Sequence, residues 1–247
     1  MMAKFTNIGW THVPGYQGGT WNPWEGCHPA SEACANCYAR ALLKRWGKNP
    51  NTVRRTSRAT FELPLHTYTP TAWFVNSMSD FLIEEADAWR EEALEIMLTA
   101  HWHLYLILTK RIERWGEIIS RWTREQDNVW FGVTAENQAR WDERVPRLMQ
   151  ISAAVHFGSV EPMLGPIYPA IVGAVPDWVL MGYESGPNRR PCDISTFKHL
   201  VGFFKINAVP VYVKQGSHLL PGQQGNLPDE LWRVKQFPQG ELPYKEN

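Results

Sequence analysis

The chain has 247 residues, 44% of them apolar, with 25 basic side chains balancing 25 acidic ones. That length buries a sizeable core, and a formal net charge of zero excludes a global field that would draw the protein to DNA or a membrane. No apolar run approaches the ~18 residues of a membrane span, and the segment MMAKFTNIGWTHVPG lacks the apolar centre of a signal peptide. A cytoplasmic protein with reduced thiols is therefore expected.

In chain order, a short strand is expected near Gly19–Asn22, followed by three of the four cysteines, Cys27, Cys34 and Cys37. Seven basic residues then run from Arg40 to Arg58 (Arg40, Lys44, Arg45, Lys48, Arg54, Arg55, Arg58) with no acid between them. They suggest a local patch for phosphates, or simply a solvated helix face. Trp21, Trp24, Trp46 and Tyr38 are interleaved with or near them and would suit base stacking, or the core.

Beyond residue 70 a regular alternation sets in. Apolar runs occur at Ala72–Val75, Leu104–Leu108, Val129–Val133, Ala153–Phe157, Trp178–Met181 and Val209–Val213. Their starts lie roughly 25 to 30 residues apart, the length of a strand–helix unit. Helical patterns fill the gaps at Glu84–Ala100 (Leu94, Met97 and Leu98 on one face), Arg111–Arg124, Gln138–Gln150 and Ile194–Asn207. After Glu161 four prolines argue against a full helix. Continuous apolar runs indicate strands covered on both faces, hence an α/β fold with mostly parallel strands. Two forms satisfy this: a partial (β/α) TIM-like barrel or a doubly wound open sheet. One domain spanning 1–247 accommodates either.

Each strand ends in a polar cluster. Asn76, Ser77, Ser79 and Asp80 follow the second, Thr134 and Glu136 the fourth, Ser159 and Glu161 the fifth, Tyr183 and Glu184 the sixth, and Lys214 and Gln215 the last. In parallel α/β folds these carboxyl ends form one ligand-binding rim, although Ser and Glu also cap helices there.

The cysteine spacing is C-x6-C-x2-C. Structural zinc wants four ligands, and the candidates for a fourth are His28, which adjoins Cys27, and the distant Cys192. A [4Fe–4S] cluster is usually held by cysteine thiolates, and three of them leave one iron open to a small chelating ligand.

A three-cysteine loop after the first strand of a partial barrel resembles the radical S-adenosylmethionine enzymes. Seven segments in order, WNPWEGCHPASEACANCYA, FVNSMSD, LILTKR, VWFGVTAENQ, SVEPMLGPI, WVLMGYESGP and VPVYVKQ, are similar to the phage-associated three-cysteine-motif members of that superfamily. The chain departs from the commonest spacing by its longer first gap and by having Asn36 before Cys37. It also lacks the Gly-Gly-Glu segment often found where Ser77, Ser79 and Asp80 stand. The resemblance implies Cys27, Cys34 and Cys37 on a [4Fe–4S] cluster, with S-adenosyl-L-methionine on the open iron. Ser77, Ser79, Asp80, Thr134, Glu136, Glu161 and Glu184 become its candidate contacts. Tyr183 and Cys192 become candidates for donating hydrogen to a product radical.

Resemblance also implies a substrate class. It points to the isomerase of phage thymidine hypermodification, which converts N-linked glycinyl-thymidine to its Cα-linked form and so protects phage DNA from host restriction. The partners implied are DNA or a modified thymidine nucleotide and an electron donor of flavodoxin or ferredoxin type. LTKR and SVEP are also similar to segments of the spore photoproduct lyases, and a zinc- and DNA-binding phage protein without catalysis is the alternative from another class.

Overall fold

In a computed structural model, which describes residues 5–118, 126–170 and 175–238, the six apolar runs and the short strand near Gly19–Asn22 become the seven strands of the main sheet. First comes β1 (Gln17–Trp21). A small antiparallel pair, β2 (Trp24–Glu25) and β3 (Arg54–Arg55), brackets α1 (Tyr38–Arg45), and α2 (Arg58–Phe61) leads on to β4 (Thr71–Val75). Strand and helix then alternate as α3 (Asp87–Thr99), β5 (Leu104–Thr109), α4 (Trp115–Ile118), β6 (Val129–Thr134), α5 (Gln138–Leu148) and β7 (His156–Val160). The last elements are β8 (Trp178–Gly182), α6 (Ile194–Ile206), β9 (Val211–Gln215) and α7 (Asp229–Trp232).

Seven strands pair in parallel in the order β1-β4-β5-β6-β7-β8-β9, which is also their order in the chain. A doubly wound sheet reverses direction at a switch point. This one never does, so crossovers of one hand place the helices on one face and the sheet curls into a half-barrel.

Period-2 alternation sorts the strand residues between two cores. Outward-facing Trp73, Val75, Tyr105, Ile107, Phe131, Val133, Val179 and Met181 pack under α3, α5 and α6 through Leu94, Met97, Val145, Leu148, Phe197 and Phe204. Inward-facing Ala72, Leu104, Leu106, Trp130, Phe157, Trp178 and Leu180 surround Trp10, which plugs the hollow of the half-barrel. The Trp10 ring lies 4.8 Å from Phe74 in an edge contact and 6.2 and 6.3 Å from Phe157 and Trp178. Gly132 is the small residue this layer needs, because a Cβ there would stand 2.4 Å from the Phe157 ring.

Four expectations shift. The run at Ala153–Phe157 becomes a strand three residues later, since ladder pairing starts where Phe131 N–H donates to Val155 O. The run at Val209–Val213 starts pairing at Val211, because Pro210 has no N–H and Ala208 sits at a φ of +55°. Of the helix expected at Arg111–Arg124, a 3-10 turn (Ile112–Arg114) and α4 are observed, and 119–125 lie outside the described residues. Leu98 is exposed rather than core, because α3 buries the stripe of Ala93, Leu94 and Met97. Among the described residues no helix is long and apolar enough to cross a membrane.

Candidate functional site

Gly26 sets the direction of the cysteine loop. Its φ is +94°, and a Cβ there would meet the Thr52 carbonyl oxygen at 2.1 Å, so glycine alone fits. The Cys27 N–H then donates to Pro50 O at 2.8 Å. Cys34 ends a 3-10 turn (Glu32–Cys34), and its sulfur accepts from the Ala30 N–H at 3.4 Å. Cys37 stands at the amino-terminal cap of α1. All three thiols are free and partly buried, and they are near enough to interact electrostatically. Burial first, then Asp80, pushes the Cys27 thiol up to about 12, while the Arg111 guanidinium, 3.8 Å from that sulfur, pulls it down.

The ends of four other strands strap this loop down. After β4, the Ser79 hydroxyl donates to Gly26 O at 2.5 Å, and Asn22 accepts from the Met78 N–H at 2.8 Å while bonding the Ser77 hydroxyl. After β5, Arg111 donates to His28 O at 2.8 Å. After β6, the buried Glu136 carboxylate accepts from the Ala33 N–H at 3.4 Å and pairs with buried Arg144 at 3.2 Å. After β8, Glu184 accepts from the Asn36 side chain at 3.0 Å, and Arg190 donates to Glu32 O at 3.1 Å.

Several of the expected cofactor contacts are thus engaged within the scaffold. Asp80 accepts from the Thr109 hydroxyl at 2.6 Å, the Leu82 and Lys110 N–H groups at 3.0 and 2.9 Å, and Arg111 at 3.1 Å. Those four donors fill a carboxylate's acceptor positions. Ser77 and Ser79 bond the cysteine loop and its approach, and Glu136 and Glu184 hold the loop itself. Burial alone would raise the Glu184 carboxyl, but the bonds from Arg190 and Asn36 outweigh it and hold the group below the usual carboxylate range.

Under the loop the inward face of the strands changes from apolar to polar. Cys37, Asn36, Lys110, Thr134, Ser159, Glu161, Glu184 and Lys214 line one cup. Glu161 and Lys214 form an ion pair in it, and Lys214 also stands 5.1 Å over the Trp10 ring. Gly182 leaves room for this pair, since a Cβ there would lie 3.2 Å from a Glu161 carboxylate oxygen. Tyr183 walls the cup and, on its other side, a second cavity that holds Cys192. Its hydroxyl donates to Asp193 O at 3.0 Å, and burial pushes both the Tyr183 phenol and the Cys192 thiol up.

The two candidates for a fourth zinc ligand have other partners: His28 contacts Glu85, and Cys192 neighbours Tyr183 and Asn226. Among the described residues no group of three or more His, Cys, Asp or Glu side chains is disposed to hold a metal ion. The loop's donor set is three free thiols, with a guanidinium at one sulfur and a helix terminus at another.

Much of the basic stretch is internally neutralised. Lys48 and Arg54 both bond Glu25, Arg55 grips Glu92 through two bonds of 2.6 Å, Arg58 pairs with Glu62, and Arg40 donates to Cys27 O. Lys44 and Arg45 remain exposed, beside half-exposed Trp46. Trp21 and Trp24 are fully buried and donate to Phe61 O and Asp80 O, so they belong to the core and not to a stacking surface.

The sequence reasoning missed Asn36, Arg190 and Arg144 as site-building residues. Asn36 was visible as a polar residue between two cysteines, whereas Arg190 and Arg144 carry no signal until the fold brings them beside Glu184 and Glu136.

Fold and site together define a parallel α/β half-barrel protein whose rim carries a three-thiol loop above a charged cup. The family described as "Protein of unknown function (DUF5131)" matches residues 5–237, and the chain belongs to it. Neither the curated proteins nor the solved structures contain a match to the chain.

Proposed function

We propose that this chain is a radical S-adenosylmethionine enzyme, with Cys27, Cys34 and Cys37 holding a [4Fe–4S] cluster and S-adenosyl-L-methionine bound beside it in the cup. The observation that carries the reading is the placement of three free thiols, one short of a closed set, on a loop over the carboxyl ends of parallel strands. A bound cluster and S-adenosylmethionine supply one-electron chemistry that ends in hydrogen abstraction from carbon. The protein's own part is to bind, orient and shield. Glu161 and Lys214 offer charge of both signs to the two ends of an amino acid, and Lys110 adds a second cation on the same wall. Thr134 and Ser159 supply hydroxyls between them. Tyr183 and Cys192 keep their hydrogens on oxygen and sulfur, because burial disfavours both anions.

The substrate we propose is a glycinyl-thymidine, isomerised from its N-linked to its Cα-linked form in phage DNA hypermodification. A cup that accepts zwitterions suits both the methionyl end of the cofactor and the glycyl end of such a substrate. DNA or a thymidine nucleotide, and an electron donor of flavodoxin or ferredoxin type, are the partners this reading requires, in a host cytoplasm.

Anaerobic purification tests the reading. The expected protein is brown, absorbs near 400 nm, contains iron and sulfide, and forms 5′-deoxyadenosine with dithionite; each of the three Cys→Ala variants loses the iron and Cys192→Ser keeps it. A colourless protein carrying zinc overturns the enzyme reading. Digestion of treated DNA then identifies the reaction: an isomerase leaves the nucleoside mass unchanged, and release of thymidine from a lesion marks a lyase.

A further inference from the structure

Four donors converge on the Glu184 carboxylate. Asn36 gives a bond of 3.0 Å, the Arg190 backbone N–H one of 2.8 Å and its Nε one of 3.0 Å, all to one oxygen, and the Arg190 guanidinium bonds the other. A carboxylate has about four acceptor positions, two on each oxygen, so three of these donors crowd one oxygen and the fourth holds the other. The four bonds lead to the cysteine loop. Asn36 is the second of the two residues between Cys34 and Cys37, and it also donates to Asn188 O at 2.8 Å. Arg190, held by Glu184, donates to Glu32 O two residues before Cys34. The loop is held beside β4 and is caught again beside β8, four places across in strand order.

The geometry points to Glu184 as a positioning residue: through Asn36 and Arg190 it holds the Cys34–Cys37 segment over the cup. Cys27 is anchored separately, by Pro50 O and Arg111, so loss of Glu184 releases two of the three thiols and spares the third. Replacing Glu184 by glutamine puts an amide N–H group where only donors arrive, and breaks the knot without removing volume. Replacing Asn36 by alanine cuts the Glu184–Asn36 link from the other side and leaves the one through Arg190. That the released thiols carry a cluster rests on the function proposed above; the tether itself does not.

The test uses the full chain, stripped of metal and reduced, with iodoacetamide as probe and the alkylation rate of each cysteine read by peptide mass spectrometry. Cys34 and Cys37 are expected to react about tenfold faster in E184Q and in N36A, the change that losing one charge-assisted hydrogen bond permits when a segment must open to react. Cys27 keeps its wild-type rate, and the double variant accelerates by less than the product of the two single effects because both lose the Glu184–Asn36 bond. Reconstituted E184Q is expected to retain iron but show an altered electron paramagnetic resonance spectrum of its reduced cluster. Unchanged Cys34 and Cys37 rates in both variants, or equal acceleration of Cys27, overturns the proposal. A wild-type protein that never takes up iron sinks the enzyme reading and leaves the alkylation result to decide the tether.

Discussion

Arg144→Met tests how the floor of the cysteine loop is held. Arg144 and Glu136 are 2% and 0% exposed, and one Arg144 Nη donates both to Thr134 O at 2.7 Å and to the Glu136 carboxylate at 3.2 Å. Methionine fills a similar volume but strips the carboxylate of its cation, leaving Glu136 with the 3.4 Å bond from the Ala33 N–H. Breaking a buried pair from one side costs about 3–5 kcal/mol, mostly for the charge left behind. In a chain of this size each kcal/mol moves Tm by roughly 2–4 °C, so the expected fall is about 6–20 °C. Thermal unfolding followed by far-ultraviolet circular dichroism measures it. The double variant R144M/E136L removes the orphaned charge as well and should recover at least half of the loss. A single variant within about 3 °C of wild type, or a double variant worse than both singles, would show that this pair does not support the loop.

Gly26→Ala places a Cβ against the Thr52 carbonyl at a positive φ, so a Tm drop of several degrees and faster alkylation of Cys27 are expected; a neutral result would mean that the loop turns elsewhere. Asp193 caps α6 through Ser195 and Thr196, and bonds from Thr196 first and Ser195 next lower its carboxyl to about 2. Because the folded value lies below the unfolded one of about 3.9, the cap stabilises above that value and is lost as pH falls through the folded one. Asp193→Ala should therefore melt below wild type at pH 6, with the gap closing toward pH 2, and a gap independent of pH would contradict the cap.

The architecture was legible in the sequence because strands covered on both faces must be apolar throughout, and runs such as Leu104–Leu108 and Trp178–Met181 say so directly. Choosing between a half-barrel and a doubly wound sheet was not possible from the runs, since strand order depends on where each helix crosses. The cysteine loop announced itself by thiol density. The carboxylates were found for the right place but with incomplete roles: Glu136, Glu184 and Asp80 sit at the rim as expected, yet their oxygens are occupied by Arg144, Arg190 and Arg111. Those arginines lie 8, 6 and 31 positions from their partners, and nothing in their local pattern separates them from surface residues. The pairing of the basic stretch was hidden in the same way, because Glu25, Glu62 and Glu92 reach it from outside its own boundaries.

A half-barrel has no closing strand to fix its curvature. Here the thiol segment runs as a chord across the arc, from the β4 side to the β8 side, and a chord of set length dictates the radius of its arc. A load that wedges β4 and β8 apart therefore falls on the bonds at the two ends of that chord, Ser79 to Gly26 O and Asn36 to Glu184.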